Sequence, residues 1–290
     1  MAEVRWNWDY CILCPKQDKL TKEHIIPESL GGKLWARFVC KKCNDIMGYR
    51  VEADAKRDPS IRLAVHSLSN QIPDLAKSLS ENQEFVGKSK QGWIRGRIKQ
   101  DTFRVITSRQ PDGSLIQPTE DARKDLEKEL RKTSSENELS SILKCFDEAP
   151  ENERIKIANQ EFIKWSVDSL NPVLDGPLIG DDLPLLMAFE YLACCLGVSI
   201  YDYKLDPIRD SIRNKQASTD CYKVERLLGP ENAPFHGLFI ERNAPYVKIQ
   251  IRLFGSIAFR VHFLQLVIGG NRFVYTLNLK EQTEHLQVLP

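Results

Sequence analysis

Two Cys-x-x-Cys pairs, Cys11/Cys14 and Cys40/Cys43, constrain this chain more than any other feature in it. Each short pair presents two sulfurs to one point, and two pairs can set four thiolates tetrahedrally around a single zinc ion. Four sulfur ligands close the coordination sphere, so the zinc expected here is structural and has no position left for a reactive water. The 25 residues between Cys14 and Cys40 are more than a minimal ribbon needs. They hold Glu23-His24 and the run Ile25-Ile26-Pro27-Glu28-Ser29-Leu30-Gly31-Gly32. The zinc does not need this histidine, yet clamping both ends of its loop would hold it in place. The other four cysteines, Cys145, Cys194, Cys195 and Cys221, read as free thiols of a reducing compartment, and Met1 to Tyr10 contains no apolar leader. The expected location is therefore cytoplasmic.

Cys-x-x-Cys, an acid followed by His, Ile-Ile-Pro-x-Ser-x-Gly-Gly, and Cys-x-x-Cys followed by Asn44 together resemble the zinc-stapled branch of the HNH (ββα-metal) endonucleases, over roughly residues 8 to 58. The resemblance implies two strands and a helix around the zinc, and hydrolysis of phosphodiester bonds, with double-stranded DNA favoured over RNA as substrate. It also implies that His24 is the general base and that Glu23 and Asn44 hold a catalytic divalent cation. The chemistry suits these residue types. A neutral imidazole, with an ordinary pKa of about 6.5, can take a proton from water near neutrality. A cation on hard oxygen donors, Mg²⁺ or Mn²⁺, can stabilise charge on the phosphate and the leaving oxygen. The pattern departs from the family in two places: Glu stands where Asp is commoner, and Ala36-Arg37-Phe38-Val39 occupies the stretch where many members carry an Asn. Adjacent strand residues point to opposite faces, so Glu23 and His24 converge only where the strand is irregular or ends. Prokaryotic defence or mobile-element processing is the setting that the resemblance implies. The competing reading is a zinc ribbon that binds nucleic acid or protein without cutting.

A chain of 290 residues is too long for this module alone. Its formal net charge of +1 makes any nucleic-acid surface a local patch. The fold class expected is α+β: a small ββα-metal zinc module over 1–58, connector helices and a basic strand meander over 59–118, and an α+β domain over 119–290. In the module, strands are expected at Leu20 to Ile26 and Leu34 to Val39, with a helix from Asn44 to about Lys56. Asp45, Glu52 and Asp54 on that helix read as a solvated face, with support of the cation's ligands from behind as the alternative.

Short strands near 83–87, 93–99 and 102–108 carry Lys88, Lys90, Arg95, Arg97, Lys99, Arg104 and Arg109. Arg95 and Arg97, with Lys33, Arg37, Lys41 and Lys42 of the module, are the candidate nucleic-acid contacts. Helices are expected over 119–131, 134–146, 151–170, 183–197 and 207–214. Tyr246 to Leu253 and Ile257 to Phe263 alternate as a hairpin, with a further strand at Val274 to Leu279. Leu183 to Tyr201 is apolar, but Glu190 inside it argues for a buried core helix over a membrane span. Nothing in the C-terminal half identifies its chemistry. It would position substrate, form a homodimer, or bind a regulatory ligand or protein partner.

Overall fold

The computed structural model describes residues 8–14, 16, 18–80, 84–89, 92–99, 102–109, 115–132, 134–150, 154–157, 160–165, 180–214, 220–241, 246–264, 266 and 272–289. Trp6, Lys90, the turns at 100–101 and 111–113, and residues 166–170 lie outside that set.

The chain begins with a knuckle at Cys11 to Cys14 and an antiparallel pair, β1 (Leu20–His24) and β2 (Trp35–Cys40). Between them Gly31 takes a left-handed φ of +87° and donates its N–H to the Glu28 carbonyl at 2.8 Å. A Cβ on Gly32 would fall 1.8 Å from the Ile26 carbonyl oxygen, so the loop can close this tightly only on glycine. Helix α1 (Lys41–Met47) starts three residues before Asn44, because Cys40 leaves the strand with extended backbone and serves as the helix N-cap. A π-helical turn (Gly48–Glu52) and α2 (Ala53–Arg57) continue the helical run. Then come α3 (Pro59–Ser67) and α4 (Pro73–Ser80), each opening on a proline, which costs nothing in the first turn.

Packing divides the chain into two compact units, and the second is inserted in sequence into the first. The insertion, Ser80–Leu178 with Arg57–Pro59, holds a meander of β3 (Glu84–Ser89), β4 (Gly92–Lys99) and β5 (Thr102–Ile106). It also holds a sheet in the order β6-β7-β9-β8, formed by β6 (Ser108–Arg109), β7 (Leu115–Pro118), β8 (Arg154–Ile157) and β9 (Gln160–Trp165). Helices α5 (Thr119–Leu130) and α6 (Glu136–Glu148) share a small core of Ala122, Leu126, Leu130, Leu139 and Phe146. Ser135 and Glu138 close a capping box at the start of α6.

The helix expected over 151–170 is not formed in the described part of that stretch, which contains β8 and β9. Ile155 and Ile157 alternate with Arg154 and Lys156, a period of two, and β9 lies parallel to β7, whose ladder supplies its backbone partners.

The first unit comprises Met1–Lys56, Ser60–Leu79 and Ile179–Pro290. Helix α7 (Asp182–Leu196) is buried over 13 of its 15 residues, as a helix apolar on every side must be. It packs on a six-stranded antiparallel sheet, and among the described residues no helix is long and apolar enough to cross a membrane. After α8 (Asp206–Asn214) come β10 (Tyr222–Leu228), β11 (Phe235–Glu241), β12 (Val247–Leu253), β13 (Ile257–Phe263), β14 (Arg272–Asn278) and β15 (Thr283–Leu289). Their order in the sheet is β10-β13-β12-β11-β14-β15. The β12–β13 hairpin turns on Phe254 and Gly255, at φ of +51° and +72°. Strands β10, β11 and β15 lie outside the segments expected from the sequence; β10 and β15 are the sheet's edges, where polar side chains blur the alternation.

Packing thus groups residues differently from boundaries at 58 and 118. One hydrophobic core runs from Trp8 through α7 to Leu279. The small interior of a module of some 50 residues is thereby extended by buried residues of the C-terminal half. Polar contacts reinforce the join. Arg209 of α8 donates to the Ile12 carbonyl at 2.9 Å, and Arg50 donates to the Arg213 carbonyl at 2.7 Å.

His236 of β11, fully buried, donates from Nε2 to the Leu30 carbonyl at 2.8 Å and accepts the Phe254 N–H at Nδ1. Replacing it with Leu orphans both buried groups, at about 1–3 kcal/mol each, and chemical denaturation should register the loss. Burial pulls this imidazole down to about 4. The unfolded chain therefore takes up the proton first, and this contribution, complete above pH about 6.5, is lost as pH falls toward 4. The Leu variant should lack that part of the acid sensitivity.

Candidate active site

The zinc site is assembled from two local devices. In the first, the Cys11 N–H reaches the Lys16 carbonyl at 3.2 Å and the Ile12 N–H reaches the Phe38 carbonyl at 2.9 Å, which ties the knuckle to β2. In the second, Cys40 and Cys43 lie on the last residue of β2 and in the first turn of α1. All four Sγ atoms lie within 4.8 Å of one another, and Cys14 Sγ stands 3.7 Å from Cys40 Sγ. Bonds of about 2.3 Å to a central zinc give a tetrahedral edge of about 3.8 Å, so the donor set fits that ion. A disulfide would need about 2.0 Å, and all eight cysteines are free.

Cys11 is pulled down to about 5, chiefly by the Cys43 thiol and then by the backbone N–H groups of Cys40, Cys14 and Leu13, against the effect of burial. Trp8 packs edge-on against Phe38, at 5.3 Å between ring centroids, beneath this site.

The β1–β2 ladder slips between Thr21 and Lys22, then runs in regular register with Glu23 opposite Ala36 and His24 opposite Trp35. The irregularity falls before the acid-His pair, so strand alternation sends Glu23 and His24 to opposite faces. Glu23 points inward and is 6% exposed. Burial, and then the neighbouring Glu52, push its carboxyl up to about 8. Burial also lowers the His24 imidazole, with Lys22 adding to the effect and Glu28 opposing it, so the ring is held in its neutral, proton-accepting form. Nδ1 of His24 lies 3.9 Å from Glu28 Oε2, four residues on.

Asn44 donates from Nδ2 to Thr21 Oγ1 and to the Lys22 carbonyl, both at 3.1 Å. This bond pair crosses from α1 to the slipped part of β1. It leaves the amide oxygen, the atom a hard cation would take, without a donor among the described residues.

Glu52 corrects the expectation of a solvated helix face. Asp45 and Asp54 are exposed, and Asp45 pairs with Lys41 at 2.8 Å. Glu52 is half-buried and within electrostatic reach of Glu23, with its carboxyl raised by burial and lowered by Lys56. The spacing from Asn44 to Glu52, two turns along one helix, was the available signal, but only packing could show which way that face turned.

The other face of the hairpin is basic and aromatic. Lys22 Nζ lies 5.0 Å from the Trp35 ring centroid and the Arg37 guanidinium 5.8 Å from it. Lys22 and Trp35 were not singled out in the sequence, although strand alternation places Lys22 on the face of His24. Of the anticipated nucleic-acid contacts, Lys42 is exposed, Lys33 reaches the Gln282 carbonyl at 3.3 Å, and Lys41 is engaged by Asp45. Arg95 and Arg97 belong to β4 of the inserted unit, where Arg95 pairs with Glu84 and Arg97 is exposed opposite Arg104.

A β-hairpin and a helix joined by a four-cysteine site, with an acid-His pair on the first strand and an asparagine bonded back to it from the helix, define a zinc-stapled ββα module. Residues 11–60 match a family model described as HNH endonuclease. Neither a curated protein nor a solved structure matches the chain. That match supports nuclease activity in general and a nucleic acid as the kind of substrate.

Proposed function

We propose that the protein is a divalent-cation-dependent endonuclease that hydrolyses phosphodiester bonds, preferring double-stranded DNA to RNA. The observation that carries this reading is the tie from Asn44 to Thr21 and Lys22, which draws the helix onto the strand immediately before Glu23-His24. His24, kept neutral by its surroundings, takes the proton from the attacking water. The amide oxygen of Asn44 supplies a hard oxygen donor suited to Mg²⁺ or Mn²⁺, and Glu23 joins it where β1 ends at His24, since within the strand the two side chains point apart. That cation, when bound, offsets charge on the phosphate and on the departing 3′ oxygen. Lys22, Arg37 and Trp35 line the approach, where two cations and a flat ring suit a phosphate backbone.

The test is plasmid nicking by the full chain, beside a double-stranded RNA of similar length. Nicking should stop on brief EDTA treatment that leaves the zinc in place, and return with Mg²⁺ or Mn²⁺. A zinc-loaded protein that binds the plasmid yet cuts it with neither ion would be a recognition module instead.

A further inference from the structure

Helix α4, the turn at Gly31 and the β14–β15 turn line a cavity of about 540 Å³, within the range of roughly 300–1,000 Å³ usual for small-molecule sites. Its floor is apolar: Ile72 and Leu279 are buried and Leu75 is half-buried. Its rim is polar and exposed, with Asp74 and Ser78 on the α4 side and Lys280 and Gln282 on the turn opposite. Local bonds have already committed donors on this rim. Ser78 Oγ donates to the Leu75 carbonyl at 2.9 Å, and the Gln282 side-chain amide donates to the Leu279 carbonyl, so each chiefly has an acceptor oxygen left to offer. The Asp74 carboxylate adds two more acceptors. Lys280 is the charged donor facing them, on a turn fixed by Asn278 Oδ1, which accepts the Lys280 and Glu281 N–H groups at 3.0 and 3.1 Å. Its ammonium lies 3.9 Å from Glu281 with both side chains more than half exposed, a pairing worth little in water. Lys33 ties this turn to the module by donating to the Gln282 carbonyl at 3.3 Å. Gly31 closes the wall so tightly that a Cβ there would fall 2.8 Å from Leu279 Cδ2 and 3.2 Å from Leu75 Cδ2.

We propose that this cavity is a nucleobase site and that the base it takes is guanine. A base has flat apolar faces for the floor and a polar edge for the rim. The rim asks for an edge rich in donors, because acceptor oxygens outnumber the donors left to it. Guanine has two adjacent donors on its pairing edge, ring N1–H and amino N2–H₂, with the O6 acceptor beside them; the other bases have one donor there. Two adjacent donors match the two oxygens of the Asp74 carboxylate, and O6 matches the Lys280 ammonium. The choice of a base among donor-bearing rings rests on the nuclease reading of the module, which makes nucleic acid the ligand at hand. The guanine comes either from a strand, unpaired and turned out of the stack, or from a free guanine nucleotide. From either source it lies against Gly31, in the same turn as Glu28 and just beyond His24, so the site reads a nucleotide beside the candidate active site.

The test is binding to the zinc-loaded full chain, wild type and Asp74→Asn, with no Mg²⁺ or Mn²⁺ added. Calorimetry compares GMP, AMP and CMP, and fluorescence anisotropy compares duplexes carrying one unpaired guanine or one unpaired cytosine. Asp74 is exposed, so the variant should fold, and zinc content and thermal melting check that it has. Asp74→Asn replaces an acceptor oxygen with a donor amide, and loss of a bidentate contact to a base edge should weaken guanine binding about 5–150-fold. A free nucleotide as the source shows as preference for GMP alone. A strand as the source shows as preference for the duplex with unpaired guanine, with or without GMP binding. Preference for guanine in neither probe, or a preference that Asp74→Asn leaves intact, would overturn the proposal. No cleavage is measured, so a protein that never nicks DNA can still show the site, and an active nuclease can lack it.

Discussion

His24→Ala should retain one zinc and the native fold while its cleavage rate falls about 10²–10⁴-fold, the usual loss on removing a positioned general base. The fold should tolerate the change. The His24 side chain is 11% exposed at the end of β1, and its nearest ionic neighbour, Glu28, is itself mostly exposed at 78%. No buried partner is left orphaned there, so the stability change should stay within about 1 kcal/mol. Zinc stoichiometry and thermal melting establish that the variant is intact, and single-turnover plasmid cleavage reads the chemistry. Added imidazole should restore part of the rate, since the lost group is a diffusible base. Cleavage at the wild-type rate in an intact His24→Ala protein would remove His24 from the mechanism.

Cys40→Ser should lose zinc and unfold the N-terminal module. Cys40 does three things at once: it contributes a sulfur to the metal, ends β2 opposite Leu20, and is the N-cap residue of α1. Structural zinc contributes an apparent ~10–16 kcal/mol in small peptides near neutral pH, as much as or more than the ~5–15 kcal/mol net stability of a typical domain. The loss should appear as zinc stoichiometry near zero and as rapid proteolysis within residues 8–57. Because Ile12, Leu30 and Lys33 bond directly to the C-terminal half, the sheet should lose stability as well. A Cys40→Ser protein that kept zinc at wild-type affinity and resisted protease in that stretch would show that the four sulfurs do not form one site.

Much of the candidate site was legible before any coordinates, because its signals are local. Two-residue gaps between cysteines, an acid beside a histidine and an asparagine after the last cysteine describe what neighbouring residues can do together. Strong periodicity was equally plain, as in β12, where Val247, Ile249, Ile251 and Leu253 are buried and alternate with half-buried polar residues. The failures occur where local pattern is weak or ambiguous. The stretch at 154–165 carried enough scattered apolar residues to pass for a helix, and only pairing of β9 with β7 decided it. Glu52 looked like one more charge on an acidic helix until α7 was seen to pack against that turn.

The cysteine spacing and the Glu23-His24…Asn44 pattern by themselves carried the resemblance to HNH endonucleases and the four-sulfur cluster that could hold zinc, since a metal reads ligand type and spacing, and both are written in the chain. Tertiary structure alone decided that the core of this module continues through α7 into the six-stranded sheet. It alone decided too that Glu23 is buried on the inner face of β1 and that Glu190 is enclosed in the core. Burial and electrostatic neighbourhood depend on which distant surfaces close over a residue, and no spacing along the chain encodes that closure.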